Sequence, residues 1–226
     1  MKIIILAAGI GSRLGNPFPK PLTPLNGGKS IMETQIQNLA QHFNKHDISV
    51  VVGFKKELIM EKFPDLTYIY NQYFDATNTS KSLLKALQKN RKEDVLWLNG
   101  DVVFDSELLE VIKQEIAKKE SFVSVNHSRV AEEEVKYTLK EGFVHELSKQ
   151  VKNGLGEAVG INFISQKDLP VLVSQLENCD DNDYFERGIE LAIQKDGMKV
   201  KAVDISQFRC MEIDFKEDLD QANNLF

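Results

Sequence analysis

The sequence is poor in cysteine and tryptophan, and it has no excess of basic residues. Among its 226 residues are two cysteines, one tryptophan and 28 lysines and arginines, against 34 aspartates and glutamates. Cys179 and Cys210 lack metal-ligand spacing, which predicts two free thiols in a reducing cytoplasm. The formal net charge of −6 argues against nucleic-acid binding, because such binding needs a basic face to neutralise phosphates.

Long hydrophobic runs are missing as well. No stretch approaches the roughly 20 apolar residues of a membrane-spanning helix, and the opening segment MKIIILAAG meets glycine too early for a signal peptide. The histidines have no metal-binding spacing and are interpreted as structural or exposed: His42, His46, His127 and His145. These absences predict a cytoplasmic protein that binds neither membrane nor nucleic acid.

Strand-like and helix-like segments alternate along the first half of the chain. KIIILA at 2–7 predicts a buried strand, residues 31–43 an amphipathic helix, and a last helix begins near Lys216. The alternation predicts a mostly parallel α/β sheet with helices on both sides, in a single domain spanning residues 1–226. VKYTL, FVHEL and AVGINFIS follow one another without helices, which predicts a small, partly antiparallel β-rich section at about 128–158.

The first strand runs into the glycine-containing loop of LAAGIGSRLGNPFPKPL. Gly9 and Gly11 let the backbone approach a ligand closely, and exposed N–H groups in such a turn bind anions. Arg13 and Lys20 add positive charge, and flanking prolines stiffen the approach to Lys20. The spacing is neither G-x-G-x-x-G nor the P-loop pattern. From spacing alone, an ordinary turn with two surface cations explains the segment equally well.

Three further polar segments follow predicted strands or come late in the chain. They begin at Asn71, at Asn99 in the sequence Asn-Gly-Asp, and at Glu212 in the sequence Glu-Ile-Asp. Ligands of open parallel sheets bind at the carboxyl ends of strands. We therefore expect these segments and the glycine-containing loop at one edge of the sheet.

LAAGIGSRL followed by PKPL resembles the signature of nucleotidyltransferases that act on phosphorylated small molecules. Leu6 to Arg13 fit L-A-A-G-x-G-[ST]-R and Pro19-Lys20 fit the P-K pair, although the segment between them is shorter than in many sugar-1-phosphate enzymes. Other segments more weakly resemble bacterial choline-phosphate cytidylyltransferases and their phosphonate-activating relatives: YNQYFDATNTSKSL, NGDVVF, GEAVGINFIS and MEIDFKEDLDQA. The resemblance implies a Rossmann-like core similar to that of GT-A glycosyltransferases.

The resemblance implies transfer of CMP from CTP to a small phosphorylated acceptor, giving a CDP-linked product and pyrophosphate for cell-surface polysaccharide or lipid decoration. Because two anions react, the site must neutralise them and the departing pyrophosphate. Mg²⁺ bound by one or two carboxylates is the usual solution, and Asp101 and Asp214 are the candidate ligands. A plain Asn-Gly-Asp turn is the alternative for Asp101. The acidic residues that compete with Asp214 are Glu212, Glu217 and Asp218.

The resemblance also assigns the remaining site residues. Arg13 and Lys20 are the candidate catalytic groups, which hold the β/γ and α phosphates. The nucleotide is expected against Leu6, Ala7, Ala8, Gly9, Gly11, Asn78 and Gly100. The acceptor is expected against Arg129, Lys149, Lys152, Glu157 and Gly160. Solvated side chains are the alternative for the three basic residues, whereas contact with the ribose or a simple edge strand is the alternative for Glu157 and Gly160. The start of a predicted helix also lies within reach of the site, at Asp183, Tyr184 and Glu186.

Several identities stay open. The acceptor is a phosphorylated amino acid, amino alcohol, choline, polyol or phosphonate; Tyr137 and Tyr184 are the only tyrosines or tryptophans after residue 130, which counts against the aromatic cage of a quaternary ammonium. A sugar-1-phosphate nucleotidyltransferase using UTP, dTTP or GTP shares the loop. A non-catalytic nucleotide sensor is a second alternative, but a sensor need not keep all three charges of Arg13, Lys20 and Asp101. A glycosyltransferase is a third alternative, but it normally has a metal-binding D-x-D motif, which NGDVVFD does not contain. A homodimer is one option for the oligomeric state.

Overall fold

The computed structural model describes residues 1–127 and 134–226. Their strands are β1 Lys2–Ala7, β2 Ile48–Val52, β3 Thr67–Tyr70, β4 Val95–Asn99, β5 Val102–Phe104, β6 Phe122–Asn126, β7 Lys136–Lys140, β8 Phe143–Ser148, β9 Glu157–Ile164, β10 Lys201–Asp204 and β11 Cys210–Glu212. Their α-helices are α1 Ile31–His42, α2 Lys56–Lys62, α3 Thr79–Lys89, α4 Leu108–Ala117, α5 Leu169–Asn178, α6 Phe185–Asp196 and α7 Lys216–Leu225.

The main sheet has the strand order β10-β6-β9-β4-β1-β2-β3. β1 is parallel to β2 and β4, β2 is parallel to β3, and β6 is parallel to β10. Helices α3, α5 and α6 pack on one face of this sheet, and α1, α2 and α4 pack on the other. The mixed, mostly parallel α/β fold predicted from the sequence is therefore confirmed.

Strand β1 contributes to both faces of the sheet. Ile3 and Ile5 belong to the apolar cluster on one face, whereas Ile4 and Leu6 belong to the cluster on the other. Successive side chains of a strand point to opposite faces, so a strand covered by helices on both sides needs apolar residues at consecutive positions. This explains the uninterrupted apolar run that leads into the glycine-containing loop.

The position of the segment AVGINFIS differs from the predicted one, which was in the small β-rich section. It forms most of β9, which lies inside the main sheet and runs antiparallel to β4 and β6. The small section is instead the β7–β8 hairpin, which touches β9 at one pair, Lys136 opposite Glu157. Because helices cover both faces of β9, its apolar positions do not alternate, and the sequence pattern could not distinguish it from a short strand elsewhere.

A second, two-stranded sheet brings the end of the chain to the glycine-containing loop. After β4 the chain turns at Gly100 and Asp101, and β5 then pairs antiparallel with β11. The backbone N–H of Ile213 donates to the carbonyl of Asp101 at 3.0 Å. Glu212 thus ends a strand of this small sheet and Asp214 comes after it, whereas both had been expected at the end of a strand of the parallel sheet.

Tryptophan and cysteine, the scarce residues of the sequence, lie inside the fold or partly covered. Trp97 is 1% exposed, and its ring meets that of Phe185 edge-on with centroids 5.6 Å apart. Cys179 and Cys210 are both free thiols, as predicted. No helix within 1–127 or 134–226 has the length and apolarity that a membrane crossing requires.

Candidate active site

A cleft of about 650 Å³ lies where β1 and β4 end. Its lining joins the glycine-containing loop, the turn after β4, the ends of β6 and β11, and the starts of β9, α3 and α6. The predicted site residues that line it are Leu6, Ala7, Gly9, Gly11, Arg13, Lys20, Asn78, Gly100, Asp101, Lys149, Glu157 and Asp214. All four segments that were expected at one edge of the sheet therefore contribute residues to one cavity, and the segment that begins at Asn71 contributes Asn78.

Three predicted site residues, Ala8, Gly160 and Lys152, are not part of the described lining. The Ala8 carbonyl accepts a hydrogen bond of 3.0 Å from the Phe54 N–H, Gly160 is buried behind the cleft, and Lys152 is exposed. Arg129 lies outside the described residues. The strand-end residue Asn71 is also absent from the lining: it is fully buried, and its Nδ2 donates to Ser82 and Thr77.

Lys20 occupies the floor of the cleft between two carboxylates. It begins a single turn of 3₁₀-helix after Pro19, and its side chain is only 10% exposed. The ammonium donates to Asp101 Oδ2 at 2.7 Å and also to Asp214 Oδ1. Gly11 has a φ of +65°, and a Cβ there would lie 2.7 Å from the Cβ of Lys20. The second glycine of the loop therefore makes room for the lysine.

The charges at this end of the cleft stabilise one another. Burial alone would lower the pKa of the Lys20 ammonium, but Asp101 and Asp214 together raise it above its ordinary value. Burial likewise acts to raise the pKa of Asp214, yet Lys20 and Arg13 hold it below its usual range. The Arg13 guanidinium contacts Asp214 Oδ2 at 2.9 Å and lies 5.6 Å from the centroid of the Phe215 ring. Both cations are thus positioned before any ligand arrives.

The two aspartates form a donor set that fits Mg²⁺. Their carboxylates converge on the same ammonium, and Asp101 Oδ1 is buried without a hydrogen-bond partner in the part of the chain described. Mg²⁺ is held by one or two carboxylates together with water and substrate phosphates. Within the described ranges no group of three or more His, Cys, Asp or Glu side chains is arranged to hold a metal by itself. A metal bound here would therefore take its remaining ligands from water or from a substrate.

The three acidic rivals of Asp214 have other surroundings. Glu212 Oε1 accepts a hydrogen bond of 3.0 Å from Asn99 Nδ2, and burial, reinforced by Asp101, raises the pKa of Glu212 well above its ordinary value. Asp218 Oδ2 accepts from the backbone N–H groups of Asp214 and Phe215 at 3.0 and 2.8 Å, which fixes the backbone at the start of α7. Glu217 is exposed and does not line the cleft.

Gly160 does not line the cleft, but it lies against two residues that do, Asn99 and Glu212. Its φ is +67°, and the register between β6 and β9 shifts where it lies. A Cβ on Gly160 would lie 2.5 Å from Glu212 Oε1 and 2.8 Å from Asn99 Nδ2. The bare Cα therefore leaves space for the Asn99–Glu212 hydrogen bond, so Gly160 supports the cleft without lining it.

Asn78 is held by two backbone contacts at the start of α3. Its Oδ1 accepts from the Thr79 N–H at 2.8 Å, and its Nδ2 donates to the Asn182 carbonyl at 3.2 Å. This asparagine caps the helix and ties it to the segment before α6. Its placement on the cleft wall is consistent with a nucleotide contact, which stays a prediction.

The far end of the cleft is acidic and partly aromatic. Tyr184 and Glu186, named above as within reach, line it, whereas Asp183 does not. The Lys149 ammonium lies 4.7 Å from the centroid of the Tyr184 ring. Asn126 and Glu134 also line the cleft but were not among the residues predicted from the sequence. Asn126 is the last residue of β6, so it could have been predicted from the tendency of ligands to bind at the carboxyl ends of strands. No feature of the sequence indicated Glu134.

The fold and the cleft together define an α/β nucleotide-transferase architecture. Residues 3–171 match the family model of the MobA-like NTP transferase domain, which is well over half of the chain. The chain therefore belongs to the MobA-like NTP transferase family. Membership confirms the nucleotidyltransferase resemblance that LAAGIGSRL and PKPL indicated.

Two relatives share sequence with about half of the chain. The bifunctional protein GlmU of Methanococcus maripaludis is 41% identical over 125 residues, which cover 52% of this chain and 28% of that protein. The CMP-5'-(3-aminopropyl)phosphonate synthase of Streptomyces rubellomurinus is 34% identical over 119 residues, which cover 49% of this chain and 18% of that protein. The chain thus spans less than a third of the length of either relative.

Solved structures match the fold over its whole length. The inositol-1-phosphate CTP transferase from T. maritima superposes with a TM-score of 0.80 and 18% identity, covering 99% of this chain and 94% of that one. The CTP:phosphocholine cytidylyltransferase from Streptococcus pneumoniae gives a TM-score of 0.77 and 20% identity, covering 99% and 98%. At these identities the likeness extends to the fold alone.

Proposed function

We propose that the protein is a Mg²⁺-dependent cytidylyltransferase that moves CMP from CTP to a small phosphorylated acceptor and releases pyrophosphate. The observation that carries the proposal is the Lys20 ammonium, held between Asp101 and Asp214 below the glycine-containing loop. This arrangement supports the proposal because it combines fixed cations with two carboxylates of the kind that bind Mg²⁺, and a reaction between a triphosphate and a phosphate requires such charges.

The chain's own residues have separable tasks in this reaction. The backbone around Gly9 and Gly11 receives the triphosphate, because open N–H groups bind anions and Gly9 has no atom within 4 Å of the Cβ it lacks. Lys20 and Arg13 stabilise the negative charge that develops on the departing pyrophosphate. Mg²⁺ at Asp101 and Asp214 would neutralise phosphate oxygens and help to orient them.

The preference for cytidine is supported by the names of similar proteins. By its name, the phosphonate synthase relative makes a CMP-linked product, and the enzymes of the two solved structures are named for their use of CTP. The relative shares sequence with this chain, whereas the two structures share only its fold. The proposal therefore takes CTP as the donor and treats UTP, dTTP and GTP as competitors to be measured.

Pyrophosphate release tests the proposal directly. The full chain is incubated with Mg²⁺, one NTP and one of several acceptors: 2-aminoethyl phosphate, phosphocholine, inositol 1-phosphate and glucose 1-phosphate. CTP is expected to give the highest rate. A higher rate with UTP, dTTP or GTP and a sugar 1-phosphate would contradict the cytidine assignment in favour of sugar-nucleotide synthesis. NTP binding without turnover on any acceptor would contradict an enzyme and favour a nucleotide sensor.

Matched lysine variants make the same assay specific for the cleft. Lys20→Met removes the buried cation, whereas Lys167→Met removes an exposed lysine that does not line the cleft. The proposal expects loss of turnover in the first variant and turnover close to that of the unaltered protein in the second. Equal rates in both variants would remove Lys20 from the mechanism.

A further inference from the structure

Glu186 is a buried carboxylate at the acidic end of the cleft. It lies in the first turn of α6, is 8% exposed and lines the cavity. Its Oε2 is buried and has no hydrogen-bond partner in residues 1–127 or 134–226. Buried carboxylate oxygens are normally paired, so this atom needs an explanation that the fold itself does not supply.

The surroundings of Glu186 add negative charge to this end of the cleft. Glu134 and Glu157 line the same end and are close enough to one another that Glu157 helps to raise the pKa of Glu134, after the larger effect of burial. Lys149 is the cation nearest to them in the lining, and its ammonium lies over the Tyr184 ring. A ligand with a positive charge would therefore be favoured here over a neutral one.

At the end beside the glycine-containing loop two cations face two carboxylates, whereas carboxylates predominate at the end that contains Glu186. Arg13 and Lys20 lie beside the glycine-containing loop, where a triphosphate is expected. The cluster of Glu134, Glu157 and Glu186 is contributed by the chain before β7, by β9 and by α6. An acceptor that spans the cleft would present its phosphate to the first end and its other end to the carboxylates.

We propose that the acceptor carries a primary ammonium group, which donates a hydrogen bond to the unpartnered carboxylate oxygen of Glu186. This inference rests on the proposed function and narrows its acceptor to amine-bearing phosphates or phosphonates. The phosphorus-linked oxygen of the acceptor forms the new bond to the α-phosphorus of CTP, and pyrophosphate leaves; the ammonium takes no part in bond making.

A carboxylate oxygen selects a primary ammonium over a quaternary one. An N–H group can donate a hydrogen bond to Glu186 Oε2, and charge-assisted bonds of this kind are among the stronger ones. A quaternary ammonium has no N–H and relies on several aromatic faces. At this end of the described cleft the aromatic rings are those of Tyr184 and Phe185. Lys149 already lies over the Tyr184 ring, and Phe185 is 1% exposed and packs against Trp97.

A pair of isosteric acceptors tests the inference. The ratio of kcat/KM for 2-aminoethyl phosphate to that for 2-hydroxyethyl phosphate is measured at saturating CTP, because the two differ only in the group aimed at Glu186. The unaltered protein is expected to prefer the amine about 10- to 100-fold, in the range of one hydrogen bond to a charged group. Glu186→Gln is expected to reduce this ratio to within about 3-fold.

Glu190→Gln is the matched control. Glu190 is another buried glutamate of α6, but it does not line the cleft and it pairs with Arg187 at 2.6 Å. It should keep the preference for the amine. Glu134→Gln is a second variant of the cleft, and it should lower the ratio of the two kcat/KM values by a smaller factor than Glu186→Gln does. It also keeps the inference testable if the Glu186→Gln protein does not fold.

The failure of this inference is distinguishable from that of the proposed function. Transfer to both isosteres at similar rates, with a ratio unchanged in Glu186→Gln, would overturn the ammonium site and leave the cytidylyltransferase in place. A preference for the hydroxyl compound would show that Glu186 binds a neutral group, and it would overturn the inference as well. No pyrophosphate release with either isostere or any other acceptor would overturn both proposals.

Discussion

The ammonium of Lys20 lies 2.7 Å from Oδ2 of Asp101, a residue 81 positions further along the chain. Lys20 belongs to the segment after the glycine-containing loop, and Asp101 to the turn after β4. The contact therefore fixes the loop against the end of a central strand. Since Asp214, which follows the small sheet, meets the same ammonium, three separate parts of the chain converge on one lysine.

Replacing Lys20 with methionine is expected to lower kcat for pyrophosphate release by about 10² to 10³, the usual effect of removing one preorganised donor. The same change leaves Asp101 and Asp214 facing each other without their shared cation, so stability should also fall at neutral pH. Steady-state kinetics and urea denaturation measure the two effects. A kcat within about 3-fold of the unaltered protein would exclude Lys20 from transition-state stabilisation.

Gly9 and Gly11 are expected to respond differently to alanine. A Cβ at Gly9 meets no atom within 4 Å, so Gly9→Ala should fold normally and weaken CTP binding by occupying the space needed by the ligand. At Gly11 the positive φ and the 2.7 Å approach to the Lys20 Cβ should cost about 1–3 kcal/mol of stability. Thermal unfolding and CTP titration separate the two effects. Unchanged CTP affinity in a folded Gly9→Ala protein would contradict a triphosphate at this loop.

Gly160→Ala is expected to destabilise the protein by about 2–4 kcal/mol. The new methyl group adds strain at a φ of +67° and displaces both Asn99 and Glu212. Gly142→Ala is the matched control, because Gly142 has a φ of +80° and open space around its Cα; it should cost about 1 kcal/mol. Chemical denaturation of both variants gives the difference, and equal losses would mean that the Asn99–Glu212 contact does not need the glycine.

Burial raises the pKa of Glu186 from 4.5 to about 7, with a further contribution from Glu134 and an opposing one from Lys149. Because the folded state holds this proton more tightly than the unfolded state, stability should fall as pH rises from about 4.5 to about 7. Glu186→Gln removes this titration. Its stability relative to the unaltered protein should increase over that window by on the order of 3 kcal/mol. Parallel pH profiles of unfolding free energy for the two proteins would contradict the shift.

Much of the fold followed from local pattern. The predicted strand at 2–7 matches β1, the helix predicted at 31–43 is α1 at Ile31–His42, and the last helix begins at Lys216 as expected. The Ser30 side chain and Glu33 form a capping box that sets the start of α1. Such features are local, so a single sequence reveals them. The position of β9 between β4 and β6 is set by long-range pairing, which leaves no local trace.

The candidate site was predictable where a motif specified it. The glycines, Arg13, Lys20 and Asp101 were found because the loop and the Asn-Gly-Asp turn have characteristic residues at fixed spacing. Glu134 was not found, because it belongs to the cleft only through the packing of distant segments. The role of Gly160 also differs: it was expected at the acceptor but supports a buried hydrogen bond instead. Site residues that are brought together only by tertiary contacts can be identified from the structure but not from the sequence alone.

Titration of the full chain with CTP, UTP, dTTP, GTP and ATP, with and without Mg²⁺, tests whether the cleft binds CTP together with the metal. The unaltered protein is compared with Asp101→Asn, and Glu217→Gln, at an exposed position outside the cleft, is the control. We expect that CTP binds most tightly, that Mg²⁺ strengthens its binding, and that of the two variants only Asp101→Asn loses this gain. Binding of none of the five nucleotides by a folded protein would contradict the proposed function.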